Sequence, residues 1–174
     1  VIRAGSGDTA DKWLRAKASV RAVLAAIPQG TQVAIFQMNE ATTALSGSSQ
    51  RPYIDPYDNG ALLATLARLD TLKAAGGANL AKAFSALNQL KERPSSLLLI
   101  SDGLPTAPNP SGRSLSEAER VKLFNHALAH RPAFPFNAIL LPFAGDPSAA
   151  GLFWKLSART NGVTLIPHQG WPVP

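Results

Sequence analysis

The sequence predicts an α/β fold: a doubly wound, mostly parallel central sheet of about six strands with helices on both faces and one short antiparallel edge strand. Three observations carry this. Segments of helical and strand periodicity alternate along the chain. Ser96 to Ser101 is a near-continuous apolar run, as expected of a strand covered on both faces, and Phe136 to Phe143 reads the same way. Clusters of Gly, Pro, Asn and Ser separate the segments, with no repeat and no linker, so residues 1–174 read as a single domain.

Taken in order, the first helix is expected from Thr9 to Ile27. Its apolar positions Trp13, Ala16, Val20, Val23, Leu24 and Ile27 follow the i, i+3, i+4 rule, Asp8 is its N-cap with Asp11 in the box position, and Pro28 and Gly30 end it. Gln32 to Met38 reads as a strand. Thr42 to Ser46, short and polar, reads as the edge strand, and Ser46 to Gly60 as a loop. Leu62, Leu63, Leu66 and Leu69 mark a second helix. Asn79 to Lys91 is a third, with Leu80, Ala83, Phe84, Leu87 and Leu90 inward and Pro94 as its stop. A Pro-rich loop follows the strand ending at Ser101. Ser114 or Ser116 caps a fourth helix containing Val121, Phe124 and Leu128. Pro147 to Thr160 is a fifth helix, ended by Asn161-Gly162, and Val163 to Ile166 is the last strand.

With 174 residues the chain is long enough for one domain with a full core, and 45% hydrophobic and 16% charged residues is a globular balance. The net charge of +6 is dispersed: Lys73, Lys91, Arg93, Arg113 and Arg159 lie far apart with few aromatics between them, which argues against a nucleic-acid partner. No apolar run approaches the roughly 18 residues of a membrane span. Cysteine is absent, which excludes disulfides and thiolate metal sites and mildly favours an extracytoplasmic location.

In doubly wound folds ligands bind outside the carboxyl ends of the strands. Three loops leave those ends: the one carrying Arg3 to Asp8, the one carrying Ala74 to Asn79, and Ser101 to Thr106. The first contains Gly5-Ser6-Gly7-Asp8-Thr9-Ala10, which matches G-x-G-x-x-G/A, with Glu40 after the next strand as the ribose-binding acid. That would make the protein a nucleotide binder or nucleotide-using enzyme. Against it, Asp8 would stand beside the phosphates, and Glu40 lies well beyond the roughly 20 residues expected of that acid.

A second reading covers essentially the whole chain. GGANL, LLISDGLPT, the Ala16-Lys17 pair, AILLPF and LSARTNGV fall in the order and spacing found in von Willebrand factor type A domains, which the sequence resembles. The resemblance implies a metal-ion-dependent adhesion site, in which an Asp, two Ser, a Thr and a second Asp hold a magnesium or similar hard ion. Laid on this chain through Ala16-Lys17, it puts Arg3 at the first Asp, Gly5 and Gly7 at the two Ser, and Ala78 at the Thr. Only Asp102 keeps its oxygen. A hard dication needs oxygen ligands and negative charge and is repelled by a guanidinium, so no metal and no cofactor are expected. Arg3 then either fills the ion position and pairs with Asp102, sparing a partly buried carboxylate, or points to solvent.

The resemblance implies a protein-binding module rather than an enzyme. In bacteria similar domains often belong to envelope assemblies, so an extracytoplasmic location, periplasmic or membrane-anchored, is expected, with a cytoplasmic one as alternative. The expected partner is another protein. The expected contact is the Pro-rich loop: Leu104, Pro105, Thr106, Pro108, Asn109 and Pro110, whose prolines either stiffen a binding surface or close a connection. Because Val1 and Ile2 are short for a central strand, either the strand is unusually short or the chain continues upstream, where an anchor is expected. His126 and His130 have the spacing of two ligands on one helix face, without a third, and read as surface residues. Ser101 or Ser6 could serve a Ser-His-Asp arrangement, but G-x-S-x-G is absent and Ser101 reads as a strand end. Phe153 and Trp154 read as core and rim, His168 sits in the tail, and Trp171 reads as packing that tail onto the body.

Overall fold

The computed structural model describes residues 7–73, 75–141, 146–168 and 170–172. The elements run α1 (Gly7–Ala26), β1 (Val33–Ala34), β2 (Phe36–Met38), β3 (Thr42–Ala44), β4 (Tyr53–Ile54), α2 (Asn59–Thr71), α3 (Leu80–Asn88), β5 (Leu97–Ser101), α4 (Glu117–Leu128), β6 (Phe136–Leu140), α5 (Pro147–Arg159) and β7 (Thr164–Leu165). The five expected helices are all present.

Their ends follow local chemistry. The Asp58 carboxylate accepts from Gly60 N at 2.9 Å and Ala61 N at 3.2 Å and starts α2. Asn79 Oδ1 accepts from Lys82 N at 3.0 Å and starts α3, which stops at Asn88, short of the expected Lys91. Ser116, not Ser114, caps α4, in a full capping box with Glu119. α1 begins at Gly7, two residues ahead of the expected Thr9, so Asp8 falls inside the helix. Asn161 takes φ 58° after α5, and Gly162 then passes so close to the Phe136 carbonyl that a Cβ would collide with it.

Strands β5, β6 and β7 form a parallel sheet in that order, with Leu97 opposite Phe136 and Ala138 opposite Thr164. Alternation along β6 sends Phe136, Ala138 and Leu140 to one face, where they pack with Leu80 and Phe84 of α3, Phe124 of α4 and Phe153 of α5. The rings of Phe124 and Phe153 meet edge-on at 5.2 Å, and Phe136 stacks on Phe153 at 6.1 Å. Leu97 and Leu99 of β5 join the same cluster, so alternation turns Leu98 and Ile100 to the other face, against which α1 packs. α2 rests on α1: Trp13 Nε1 donates to Leu72 O at 3.0 Å and Arg21 pairs with Asp70 at 2.7 Å. Helices therefore cover both faces, as expected.

The six-stranded sheet is corrected. Among the described residues there are three parallel strands and two separate antiparallel ribbons, β1 with β4 and β2 with β3. The segment read as one strand breaks at Ile35, whose N–H is taken by the Ser46 hydroxyl at 2.7 Å and whose carbonyl accepts from Leu45 N at 2.7 Å. The expected loop from Ser46 to Gly60 contains β4. β3 is the short antiparallel strand expected from Thr42. β5 is less covered than its apolar run predicts: Leu98 is 39% exposed. No β2–β5 pairing joins the ribbons to the parallel sheet among the described residues.

Candidate binding face at the strand ends

β5 ends in a compact turn. Ser101 Oγ donates to Gly103 O at 2.9 Å and accepts from Gly103 N at 3.3 Å, which spends this hydroxyl on the backbone. Asp102 follows, 8% exposed. The chain then crosses the loop before α3 and is fastened to it. Thr106 N and Ala107 N both donate to Ala78 O, at 3.1 and 3.0 Å, and Ala78 N donates to Thr106 Oγ1 at 3.2 Å. Asn79 N donates to Asn39 O at 2.9 Å, which ties in the turn after β2. Gly77 allows a close approach here, since a Cβ would lie 3.0 Å from both Thr106 Oγ1 and Ala107 Cβ, tighter than an ordinary contact. Ala78 is 1% exposed beneath the crossing.

A second fastening comes from Asp146, just before α5. Its Oδ2 accepts from Leu104 N at 2.7 Å and faces Arg120 NH1 of α4 at 3.3 Å; the side chains are 1% and 14% exposed. This links β5's exit, α4 and α5 at one carboxylate. Sequence reasoning missed it. Asp-Pro at a helix start signals an N-cap, yet Asp146 makes no capping bond and its carboxylate serves Leu104 and Arg120 instead.

The expected contact loop divides. Leu104 is 3% exposed and belongs to the core, and Pro105 is buried, so neither is available to a partner. Thr106 is spent on Ala78. Pro108 and Pro110 are exposed and Asn109 partly so, followed by an exposed lobe to Ser114. The lobe is braced internally: Asn109 Nδ2 donates to Arg113 O at 2.7 Å, Ser111 Oγ to Asn109 Oδ1 at 2.9 Å, and Gly112 N to Asn109 O at 3.1 Å, with Gly112 at φ 65°. Arg113 pairs with Glu119 of the α4 capping box. That hydrogen bond, with those from Ser116 N and Oγ, holds the Glu119 carboxyl down at about 2.

Of the adhesion-site positions, Arg3 and Gly5 lie outside the described residues, and so does an Arg3–Asp102 pair. Gly7 is the first residue of α1. The described remainder offers the Asp102 carboxylate and the Ala78 methyl, which does not fit the oxygen set a hard cation needs. Among the described residues no group of three or more His, Cys, Asp or Glu could hold a metal ion. In the dinucleotide reading Gly5 and Ser6 lie outside the described residues, and Glu40 is exposed on the turn after β2. His126 and His130 stand on the surface with ring centroids 5.4 Å apart. Phe153 is buried and Trp154 is 63% exposed. Arg15 holds the tail through the carbonyls of His168, at 3.2 Å, and Trp171, at 3.0 Å. No described helix is long and apolar enough to cross a membrane.

No protein-family model matches the chain, and no curated protein matches it. Among solved structures it is similar to a von Willebrand factor type A protein from Catenulispora acidiphila, with 15% identity and a TM-score of 0.63 over 90% of this chain. The match covers 35% of that protein's chain. At this identity the likeness concerns fold alone, and it agrees with helices on both faces of parallel strands: the chain has a von Willebrand factor type A-like α/β fold.

Proposed function

We propose that this domain is a metal-independent protein-binding module that engages its partner through the exposed lobe Pro108 to Ser114 and the adjoining turns at the strand ends. The observation that carries the reading is the double fastening beneath the lobe. Ala78 holds Thr106 and Ala107 from one side and Asp146 holds Leu104 from the other, so the lobe stands on a fixed base. A surface ordered before binding loses less entropy when a partner docks. The oxygen-poor set at Ala78 and Asp102 supports independence from a metal ion. The extracytoplasmic setting rests on the resemblance to domains of bacterial envelope assemblies, and the absent cysteine is compatible with it.

The test is affinity capture under crosslinking with the parent, Asp102→Ala and a Pro108→Ser/Pro110→Ser variant, each with and without EDTA. A partner retained in EDTA and lost with the lobe variant is expected. Binding that disappears on chelation, or survives in the lobe variant, overturns the proposal. Melting curves with magnesium and with a dinucleotide separate the alternatives: stabilisation by the dinucleotide favours nucleotide binding at Gly5-Ser6-Gly7 instead.

A further inference from the structure

We propose that the outer edge of β7, flanked by Trp154 of α5, takes up an extended acidic peptide segment of a partner protein as an added strand. This contact is distinct from the lobe and goes beyond it. β7 ends the parallel sheet, and no described strand pairs with its far side. Its phase is set by β6. Ala138 N donates to Val163 O at 2.9 Å and Val163 N donates to Asn137 Oδ1 at 3.0 Å, so Val163 spends both backbone groups toward β6. Period two then turns the N–H and C=O of Thr164 and Ile166 outward. Pro167 favours an extended Ile166, and it falls in the phase that faces β6, so its missing N–H leaves the outer row intact.

Sheet edges in water are commonly blunted by charged side chains or proline. Val163 to Ile166 reads Val-Thr-Leu-Ile, uncharged and rich in β-branched residues that suit a strand. Val163, Leu165 and Ile166 are each more than half exposed. α5 supplies a wall beside this edge. Its Ser157 Oγ meets Thr164 Oγ1 at 2.7 Å, which fixes the helix against the strand. Phe153, Leu156 and Ser157 are its buried residues here. Trp154 lies three residues before Ser157, on the same side of the helix but turned away from the core, and it is 63% exposed. A strand laid along Thr164 and Ile166 would run beside this indole.

The charge around the edge selects the occupant. Lys155 and Arg159 stand exposed on α5, and no Asp or Glu follows Asp146 in the sequence. Among the described residues Glu117 reaches α5 at Ser148, in its first turn, at the end remote from Arg159. A second copy docked edge to edge would set these cations, on a chain of net charge +6, against their like, which is unfavourable. An acidic strand meets them as opposites. The backbone row then gives affinity, the indole seats an apolar side chain, and the two cations choose the sign of the partner.

The test titrates isotopically labelled protein with three synthetic peptides: a Val/Ile/Phe core flanked by Glu pairs, the same core flanked by Lys pairs, and the Glu peptide with Pro at alternate core positions. The Glu peptide is expected to shift the Thr164 and Ile166 amides, slow their exchange and move the Trp154 indole signal. The Lys peptide should bind about tenfold more weakly at low salt, with the gap closing as salt rises. The Pro peptide, which cannot supply the ladder, should leave both amides unprotected. Lys155→Glu/Arg159→Glu should reverse the order of the Glu and Lys peptides, and Ile166→Pro, which deletes one outward donor, should weaken the Glu peptide by about three- to tenfold. Equal binding of the Glu and Lys peptides, or no protection of Thr164 and Ile166 at about 1 mM Glu peptide, overturns the proposal. So does protection of these amides without peptide that rises with protein concentration alongside a dimer mass, which would make a second copy the occupant.

Discussion

Replacing Asp146 should loosen the candidate face and the core together. The carboxylate is 1% exposed, accepts from Leu104 N at 2.7 Å and faces Arg120 at 3.3 Å. Asp146→Asn keeps an oxygen for Leu104 but removes the charge beside the guanidinium, a loss of about 1.5–3 kcal/mol for a charge-assisted bond. Asp146→Ala removes both interactions, and breaking a buried pair from one side costs about 3–5 kcal/mol. Arg120 is 14% exposed, so water recovers part of its solvation and the lower end applies. At roughly 2–4 °C per kcal/mol for a domain of this size, Asp146→Ala should melt about 6–12 °C below the parent. Urea melts followed by circular dichroism give the free energies, and a cycle with Arg120→Met isolates the pairwise part. Exchange at the Leu104 amide should accelerate beyond the global change. If Asp146→Ala unfolds within about 0.5 kcal/mol of the parent, within the range of ordinary surface substitutions, the carboxylate does not hold the loop and the argument for a fixed base fails.

Further outcomes are expected elsewhere. The Glu119 carboxyl, lowered from 4.5 to about 2, contributes stability that is present above pH 4.5 and disappears as pH falls through about 2. Both it and Arg113 are in solvent, so the effect should be small and screened by salt; a carbon-13 titration with a midpoint near 4.5 would contradict the pairing. Gly162→Ala forces a Cβ onto the Phe136 carbonyl and should cost at least about 1–3 kcal/mol in a denaturant melt. Ser46→Ala strands Ile35 N and Pro52 O, which the hydroxyl serves at 2.7 and 2.6 Å, and should cost about 2–3 kcal/mol with faster exchange at Ile35; an unchanged melt would show that water replaces the hydroxyl.

The sequence carried the helices because each has a long apolar period and a polar start, the latter shown within four residues by Ser116 and Glu119. It carried the parallel pair β5–β6 because both runs are apolar. It did not carry the break at Ile35, where the cause is a buried serine eleven residues away that competes for the strand's own N–H. Nor did it carry β4, a two-residue strand bounded by Pro52 and Asp55 that exists only because β1 pairs with it. At the candidate face the residue types were legible and their availability was not. Leu104 and Pro105 read as loop and are core, since the loop doubles back over Ala78. Asp146 has the signature of a cap and does different work, because its partners on α4 and in the loop are distant in sequence.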